Sequence, residues 1–381
     1  MQRDKQESTS SSIISNTDFE QRPLRRGWTT GACAAAGAKA ATEALLGKIF
    51  SDPVEVKLPR KLSHTFSITE YTLGHDWVRV SIRKDAGDDP DVTHGALIVT
   101  EVRKSTPGSG IVFCAGPGVG IVTKPGLPIA VGAPAISPAP RQYITDAILE
   151  VTRQYNTSND LEVTISIPGG EKLAERTLNG RLGIEGGLSI LGTTGVVIPY
   201  SCGAWIASIH RGVDVARAAG LPHIAASTGQ TSELGVKTLH GLPNTAMIEM
   251  GDFAGGLLKY LAKHPVPRVT IAGGFVKLSK LASGHLDLHS SRSKLDLEAL
   301  ILYLLELDAD PIFIKEVKKA ESGGAVLALA QRENIPLADS VAKEACSKVR
   351  EILKSEGLRA TTILDVVVFD RQGRLIGHAN G

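Results

Sequence analysis

The stretch His-Ile-Ala-Ala-Ser-Thr-Gly-Gln-Thr-Ser-Glu, residues 223–233, decides how the C-terminal half of the chain folds. It is a short apolar strand that opens into a loop of glycine and hydroxyl side chains. The same pattern recurs at 246–252 and at 268–274, each time ahead of a helical stretch. Repetition of strand, glycine loop and helix predicts a parallel sheet, and ligands of such sheets bind at the carboxyl ends of the strands.

The glycines of these loops do not by themselves identify a ligand. Neither 228–233 nor 251–256 has the G-x-G-x-x-G spacing of a dinucleotide-binding loop. Further on, His285, Asp287 and His289 alternate and would share one side of an extended chain. Because catalytic zinc sites draw their ligands from more than one short stretch, no protein metal site is predicted.

The N-terminal half follows a different pattern. A run of small residues between 34 and 46 predicts a helix with slender side chains, and residues 142–155 predict a second helix. Alternation of apolar and polar residues predicts strands at 54–58, 65–69, 76–83, 96–103, 110–114 and 161–167, the first three as an antiparallel meander.

These patterns predict an α/β and α+β architecture in two domains. The first, residues 25–215, is an α+β domain with a mostly antiparallel or mixed sheet. The second, residues 216–381, is a smaller α/β domain with a parallel sheet. Residues 1–24 are polar, rich in serine and of mixed charge, which predicts a disordered tail and no signal peptide.

Composition excludes several classes of protein. A net charge of +2 in 381 residues is too small for a nucleic-acid-binding surface. No uninterrupted apolar run approaches the length of a membrane span, so no membrane partner is predicted. The cysteines are far apart and form no C-x-x-C pair, which argues against disulfides or a zinc site and predicts a cytoplasmic protein. They are Cys33, Cys114, Cys202 and Cys346.

Residues 84–95, Lys-Asp-Ala-Gly-Asp-Asp-Pro-Asp-Val-Thr-His-Gly, concentrate acids directly after a predicted strand. The four aspartates repel one another, so the loop is either highly solvated or holds them against cations, donors or a ligand. A solvated turn is the simpler interpretation. An EF-hand is excluded, because neither a register starting at Asp85 nor one starting at Asp88 supplies the required glycine and glutamate.

Two further stretches offer cations for an anionic ligand. Arg25 and Arg26 precede Thr29 and Thr30, whose helix would present free N–H groups to an anion. The alternative is a tightly packed core helix. Arg141 ends a rigid, proline-rich segment and suits carboxylate recognition, or it is an ordinary arginine at the start of a helix.

Taken together, these motifs resemble those of the cobalt-precorrin-5B C-1 methyltransferases of anaerobic cobalamin biosynthesis, the CbiD type. The resemblance extends from about Arg25 to the end of the chain. At one position this chain has Ala32 where the family usually has the threonine of Thr-Gly-Thr-Cys. The stretches that carry the resemblance are 29–36, 84–95, 116–127, 134–141, 192–201 and 277–282.

The resemblance implies methyl transfer from S-adenosylmethionine to C-1 of a cobalt corrinoid, giving cobalt-precorrin-6A, in a fold unlike that of the usual corrin-ring methyltransferases. The cobalt belongs to the small-molecule substrate, and a homo-oligomer stays open. Candidate catalytic residues are Asp85, Asp88, Asp91 and His94. Candidates for binding the methyl donor are Thr228, Gly229, Ser232, Glu233, Gly251 and Asp252. Candidates for binding the carboxylates of the substrate are Arg25, Arg26, Thr29, Thr30, Lys124, Arg141, Lys277 and Lys280.

Two other functions stay open at this stage. An NAD-dependent oxidoreductase acting on a tetrapyrrole would also use a parallel α/β domain. A noncatalytic tetrapyrrole carrier would also need basic groups and a slender helix. Calorimetry with S-adenosylmethionine separates a methyltransferase from both.

Overall fold

The computed structural model of the chain describes residues 23–47, 49–358 and 361–380. They form two domains, each built on a five-stranded sheet with helices packed against it. Most of the predicted tail, residues 1–22, lies outside the described residues. The N-terminal strands are β1 (Gly27–Trp28), β2 (Val54–Leu58), β3 (Leu62–Phe66), β4 (Glu70–Leu73), β5 (Trp77–Arg83), β6 (Leu97–Lys104), β7 (Ile111–Ala115), β8 (Gly118–Val119), β9 (Ile121–Val122), β10 (Leu161–Ser166), β11 (Ile184–Glu185), β12 (Gly187–Leu188) and β13 (Val196–Val197). The N-terminal helices are α1 (Thr30–Gly47), α2 (Pro138–Gln154) and α3 (Gly170–Ala174).

The main N-terminal sheet has the strand order β4-β5-β6-β10-β7. All its pairings are antiparallel except that of β10 with β7, so the predicted mixed, mostly antiparallel sheet is confirmed. The predicted meander is wrong, because β2 and β3 form a sheet of their own. The strand that pairs with β5 at this edge of the main sheet is β4. The four residues of β4 are all exposed, so its sequence shows no alternation of apolar and polar residues.

The small-residue helix α1 lies at the centre of the N-terminal core. All its residues from Thr30 to Ala38 are buried. A Cβ atom added to Gly37 would lie 2.8 Å from Oγ1 of Thr100 in β6, and that hydroxyl donates to the carbonyl of Ala34 at 3.3 Å. The interpretation of this stretch as a tightly packed core helix is confirmed.

The second N-terminal helix, α2, begins at Pro138 and not at residue 142. The predicted rigid segment therefore ends earlier, with Pro138 and Pro140 inside the first helical turn. Proline is tolerated there because the first N–H groups of a helix have no partner within it.

The C-terminal sheet has the order β15-β14-β16-β17-β18. Its first four strands are parallel: three of them were predicted to form a parallel sheet, and β17 is the fourth. The fifth, β18, runs antiparallel to β17 and was missed by the sequence analysis. The strands are β14 (His223–Ser227), β15 (Met247–Glu249), β16 (Arg268–Gly274), β17 (Ile363–Phe369) and β18 (Leu375–Asn380). The helices are α4 (Cys202–Ala218), α5 (Gln230–His240), α6 (Ala254–Lys263), α7 (Phe275–Ala282), α8 (Leu297–Glu306), α9 (Pro311–Val317), α10 (Gly323–Arg332) and α11 (Leu337–Ser355).

Helix α4 connects the two domains and packs with the second. Ile209, Val213 and Ala216 on this helix are part of the C-terminal hydrophobic core. The predicted boundary between residues 215 and 216 falls inside the helix, so we propose that the C-terminal domain begins just before it, near Ser201. None of the helices in the described ranges combines the length and the apolar character needed to cross a bilayer.

Candidate functional site

The acid loop, residues 84–95, is tied to the segment that leads into β1. The guanidinium of Arg25 pairs with both carboxylate oxygens of Asp85, and its Nη2 lies 2.9 Å from Oδ1. The backbone N–H of Gly87 donates to the same Oδ1 at 2.9 Å. These bonds, with that from Arg25 as the largest cause, lower the pKa of Asp85 to about 2. The charges of Asp85 and Arg25 therefore neutralise each other, and the hydrogen bonds between them engage both carboxylate oxygens.

A second aspartate of the loop neutralises a buried lysine. Lys84 is only 3% exposed, and its ammonium contacts the carboxylate of Asp91 and the hydroxyl of Thr93. The N–H and the hydroxyl of Thr93 donate to Asp91 Oδ1 at 2.8 and 2.6 Å. Burial raises the pKa of Asp91, but the charge of Lys84 and these hydrogen bonds outweigh it, so the pKa is lowered overall. We assign Asp91 to holding the loop together.

The remaining polar groups of the loop face outward. Asp88 is exposed and accepts one hydrogen bond, from the backbone N–H of Arg25 at 2.6 Å. His94 Nδ1 accepts from the N–H of Ala86 at 3.1 Å, so a neutral His94 carries its proton on Nε2. The His94 side chain is 52% exposed. Of the four candidate catalytic residues, Asp88 and His94 are the two that present free atoms to solvent.

The predicted anion site at the start of α1 is closed. Thr29 and Thr30 are 6% and 4% exposed, and Thr29 Oγ1 accepts from the N–H of Ala32 at 3.2 Å as the cap of the helix. The hydroxyl of Tyr143 packs over the same turn and donates to Gly192 O at 3.1 Å. Both residues are nearly buried and the Thr29 hydroxyl is engaged by the helix, which argues against the predicted contact of Thr29 and Thr30 with substrate. Arg26 beside them is exposed.

The guanidinium of Arg141 holds the loop ahead of α2. Its Nε donates to Ile136 O at 2.9 Å and its Nη2 to Pro134 O at 3.2 Å. Partial burial lowers its pKa. These bonds engage Nε and Nη2 in holding the loop, which favours the interpretation as a helix-start arginine, and carboxylate binding by Arg141 stays a prediction.

Lys124 is placed away from the other candidates. Two residues after it, Gly126 packs against the backbone of Asp214 in α4. Asp214 is about 18 Å along that helix from its first residue, Cys202, at 1.5 Å per residue. The other candidates gather near the Cys202 end, so the structure does not bring Lys124 to them.

The carboxyl edge of the C-terminal sheet, which we define by Thr228, Gly251, Asp252 and Lys277, brings together predicted ligand-binding residues. Lys277 Nζ donates to the carbonyl of Thr228 at 2.9 Å and lies 3.0 Å from Asp252 Oδ1. That contact is an ion pair without hydrogen-bond geometry, and Oδ1 is buried with no hydrogen-bond partner. The Asp252 side chain as a whole is 23% exposed, so it is partly open to solvent at this edge. Among the residues predicted to bind the methyl donor, Asp252 is thus the best-placed acid.

Two other residues that were predicted to bind the methyl donor form hydrogen bonds within the protein. Arg181 of the N-terminal domain donates to both oxygens of Glu233, Nη1 to Oε2 at 2.9 Å and Nη2 to Oε1 at 2.5 Å. The hydroxyl of Ser232 is buried and donates to Gly229 O at 2.9 Å. Glu233 therefore joins the domains, and the prediction that the Glu233 and Ser232 side chains bind the donor is wrong. Gly229 precedes the first N–H groups of α5.

Lys280 supports the carboxyl edge from beneath. It is 5% exposed, and its Nζ donates to Leu288 O at 3.0 Å. The N–H of Leu288 in turn donates to Asp252 O at 2.9 Å. Its predicted contact with substrate carboxylates is excluded by this burial, and Lys280 fixes the position of Asp252.

The alternating His285, Asp287 and His289 do not converge. Asp287 pairs with Arg292, and His289 Nδ1 lies 2.7 Å from the hydroxyl of Ser291. Within the described residues, these three side chains do not form a group with ligand atoms close enough for a metal.

A segment in which the sequence analysis placed no candidate site residue joins the acid loop to the carboxyl edge. We call residues 198–205 the linking segment. The N–H of Tyr200 donates to Asp89 Oδ1 at 2.9 Å. Trp205 Nε1 donates to Glu249 O at 3.2 Å, and the Trp205 ring lies 3.4 Å from where a Cβ atom of Gly251 would be. Five residues span at most about 18 Å, so the two regions lie close together beside this segment.

The linking segment is apolar and exposed. Ile198, Tyr200 and Trp205 are 53%, 68% and 43% exposed. Tyr200 has a φ of 53°, a left-handed conformation that is costly for a residue with a side chain and that often marks a functional site. Sequence alone does not reveal a positive φ at a tyrosine, so no signal there pointed to this residue.

The enclosed space in the structure lies elsewhere. A cavity of about 20 Å³ between the domains is lined by Leu178, Arg181 and Met247 among others, and it holds about one water molecule. A second, open depression is lined by Gly126 and Arg217 among others. Neither is lined by residues of the acid loop or of the carboxyl edge.

Comparison with known proteins gives matches over nearly the whole chain. The family model described as CbiD matches residues 17–199, and that described as CbiD, C-terminal domain, matches residues 287–380. A crystal structure of a cobalamin biosynthesis protein (cbiD) from Archaeoglobus fulgidus has 31% sequence identity and a TM-score of 0.39, covering 71% of this chain and 83% of that one.

Curated relatives are more similar. The cobalt-precorrin-5B C(1)-methyltransferase of Paramagnetospirillum magneticum is 54% identical over 361 residues, 95% of this chain and 99% of that protein. The protein of the same name from Methylorubrum extorquens is 54% identical over 94% of this chain and 98% of its own length. That from Rhodospirillum rubrum is 53% identical with the same two shares.

Proposed function

The chain belongs to the CbiD family, and from that membership we propose that it transfers a methyl group from S-adenosylmethionine to C-1 of cobalt-precorrin-5B, giving cobalt-precorrin-6A. Relatives named for this substrate and position match it at about half of all residues along almost its whole length. The cobalt is part of the substrate. We place the reaction in the cytoplasm, on the ground that all four thiols of the chain are free.

The reaction needs alignment more than covalent catalysis. The ring carbon C-1 supplies the electron pair of the new C–C bond. The bond between sulfur and the methyl carbon breaks, and its electrons stay on sulfur, which turns the sulfonium into the neutral thioether of S-adenosylhomocysteine. The main tasks of the protein are to hold the three atoms in line and to exclude water.

The position of the linking segment is the observation that carries the proposal. On one side it touches the acid loop through Tyr200 and Asp89. On the other side, Trp205 contacts the carboxyl edge at Gly251. A flat macrocycle lying on exposed aromatic side chains would bury apolar surface there and would have a donor bound at the sheet edge within reach.

We assign the methyl donor to the carboxyl edge. The partly exposed carboxylate of Asp252 would accept hydrogen bonds from the ribose hydroxyls. The first N–H groups of α5, after Gly229, would bind the carboxylate of the methionyl part. Lys277 would hold Asp252 in place through their ion pair.

We assign the macrocycle to the linking segment and to the outward face of the acid loop. Tyr200 and Trp205 would contact the ring, and the exposed Arg26 would bind a peripheral carboxylate. Asp88 is the acid-loop group whose carboxylate could take up a ring proton if a tautomer has to change, and the Nε2–H of His94 could donate a hydrogen bond to the ring. Asp85 and Asp91 would position them.

Titration calorimetry with S-adenosylhomocysteine tests the donor site. We expect binding to the wild-type chain and at least tenfold weaker binding to Asp252→Asn, which loses the charge of the ribose acceptor. Asp287→Asn is the matched control, because this neighbouring acid pairs with Arg292, and it should bind as the wild type does.

Other outcomes would replace the proposal. Binding of a nicotinamide dinucleotide and not of S-adenosylhomocysteine would indicate an oxidoreductase. Binding of the corrinoid with no affinity for S-adenosylhomocysteine would indicate a carrier. Equal affinities of Asp252→Asn and wild type would keep the methyltransferase but move the donor away from the carboxyl edge.

A further inference from the structure

A second group of polar side chains lies at the opposite end of the C-terminal sheet. His223 is the first residue of β14, His240 is the last residue of α5, and Asp365 lies near the start of β17. One ligand atom from each lies within 4.8 Å of the others. The length of β14, five residues at about 3.3 Å each, separates His223 from Thr228 by about 17 Å, so this group is distinct from the proposed donor site.

The histidine on α5 has an unused nitrogen. His240 Nε2 is buried and has no hydrogen-bond partner. A buried polar atom without a partner costs about 1–3 kcal/mol and calls for an explanation. Its imidazole lies against that of His223, with ring centroids 4.9 Å apart.

The other two side chains are held in place by neighbours on the sheet. His223 Nε2 lies 2.8 Å from Thr270 Oγ1, and that hydroxyl donates to Asp365 Oδ2 at 3.2 Å. Arg268 Nε donates to the same oxygen at 2.6 Å. Metal-binding side chains are commonly oriented in this way by further hydrogen bonds.

The charges around the group act in both directions. Burial, and after it the charge of Arg268, lowers the pKa of both histidines, which favours their neutral form. Neutral imidazole is the form that binds metals. Arg268 and a protonated His378 would repel a cation, whereas Asp365 and the negative end of the α5 dipole beside His240 attract one.

We propose that His223, His240 and Asp365 bind a divalent transition-metal ion of the zinc type, which fastens the end of α5 to the sheet. Two imidazoles and a carboxylate are ligands that such ions accept, with water completing the coordination. The metal supplies His240 Nε2 with the partner it lacks. The proposal does not depend on the methyl-transfer chemistry at the other edge.

The test uses untagged full-length protein stripped of metal with a chelator and titrated with Co²⁺, whose visible absorption reports nitrogen and oxygen ligands. We expect one equivalent to bind per chain, and Zn²⁺ to displace it and to raise the melting temperature. In His240→Ala, the affinity for Co²⁺ should fall at least tenfold. This variant breaks no hydrogen bond of the described structure and should fold, which circular dichroism checks.

The matched control is His289→Ala, which removes a histidine from the alternating motif that does not converge. It should bind Co²⁺ as the wild type does. The proposal is overturned if the wild-type chain binds no Co²⁺, if His240→Ala binds it with unchanged affinity, or if His289→Ala loses it. A drop in the melting temperature of His240→Ala that is the same with and without Zn²⁺ would likewise make His240 a packing residue.

Discussion

The acid loop and the carboxyl edge differ in how they use their charges. The acid loop has more charge, yet Arg25, Lys84 and backbone N–H groups already hold Asp85 and Asp91. The carboxyl edge has one acid and one base, and the acid keeps a buried oxygen without a hydrogen bond. In the acid loop the charges therefore hold the loop itself, whereas at the carboxyl edge the partly exposed Asp252 has a single ion-pair partner, Lys277, and can still accept a ligand.

The largest effect on stability is expected at Asp91. Asp91→Asn leaves the buried ammonium of Lys84 without a counter-charge, which should lower the free energy of unfolding by about 3 kcal/mol and the melting temperature by roughly 5–10 °C. Urea and thermal unfolding measure it. A loss of less than about 1 kcal/mol would mean that Lys84 is hydrated and that the loop is not held by this pair.

Asp88→Asn in the same loop is the comparison for Asp91→Asn. Asp88 is exposed and accepts a backbone hydrogen bond that asparagine can also accept. Its unfolding free energy should stay within about 0.5 kcal/mol of the wild type, while methyl transfer should drop sharply. A normal rate of turnover would remove the catalytic role of this loop altogether.

The next largest effect is expected at Lys277. Lys277→Met removes the ion pair that positions Asp252, and the affinity for S-adenosylhomocysteine should fall about 30-fold, equivalent to about 2 kcal/mol. Calorimetry measures it, and Lys263→Met, an exposed lysine at the end of α6, is the control. If both variants bind equally well, the carboxyl edge holds no donor and its difference from the acid loop has no functional meaning.

A smaller effect is expected in the linking segment. Trp205→Ala removes an exposed ring that would lie under the macrocycle, and the affinity for the corrinoid should fall about tenfold, or about 1.4 kcal/mol. Trp205→Phe keeps most of the apolar surface and should lose less. The control is Tyr155→Ala, which removes an exposed aromatic side chain that lies outside the linking segment. Loss of donor affinity without loss of corrinoid affinity would place Trp205 on the donor side.

Much of the fold was predictable because it depends on local pattern. The repeated strand, glycine loop and helix predicted the parallel sheet, and the alanine run predicted the tightly packed α1. The strand β4 was missed because both of its faces are exposed. The membership of α4 in the second domain was missed because its amphipathic pattern does not say which core it packs against.

The site was less predictable because it depends on contacts between distant residues. Nothing near Glu233 in the sequence indicates that Arg181 neutralises it, and nothing near Asp85 indicates Arg25. Glycine and hydroxyl residues predicted where a ligand edge would form, at Thr228 and Gly251. They did not predict which side chains at that edge would remain free.

The smallest expected effect is the pH dependence of the stability that the ion pair of Arg25 and Asp85 contributes. It tests the difference between the acid loop and the carboxyl edge most directly. The pKa of Asp85 is about 2 in the folded chain against an ordinary 3.8, so the pair stabilises the fold above pH 3.8 and loses that contribution as the pH falls towards 2. Both side chains are about half exposed, so solvent screens the pair and its contribution to stability is small. The stability difference between wild type and Arg25→Gln should therefore shrink towards zero between pH 4 and pH 2.

Arg26→Gln is the control for that measurement, since Arg26 has no ion-pair partner among the described residues. Its difference from the wild type should not change with pH over the same range. An Asp85 that titrates at its ordinary pKa, followed by the carboxyl resonance in NMR, would show that the pair does not form in solution. An unpaired Asp85 would then join Asp88 as a group that the macrocycle or the sulfonium could use. The contrast between the acid loop and the carboxyl edge would disappear, because the acids of the loop would also be free for a ligand.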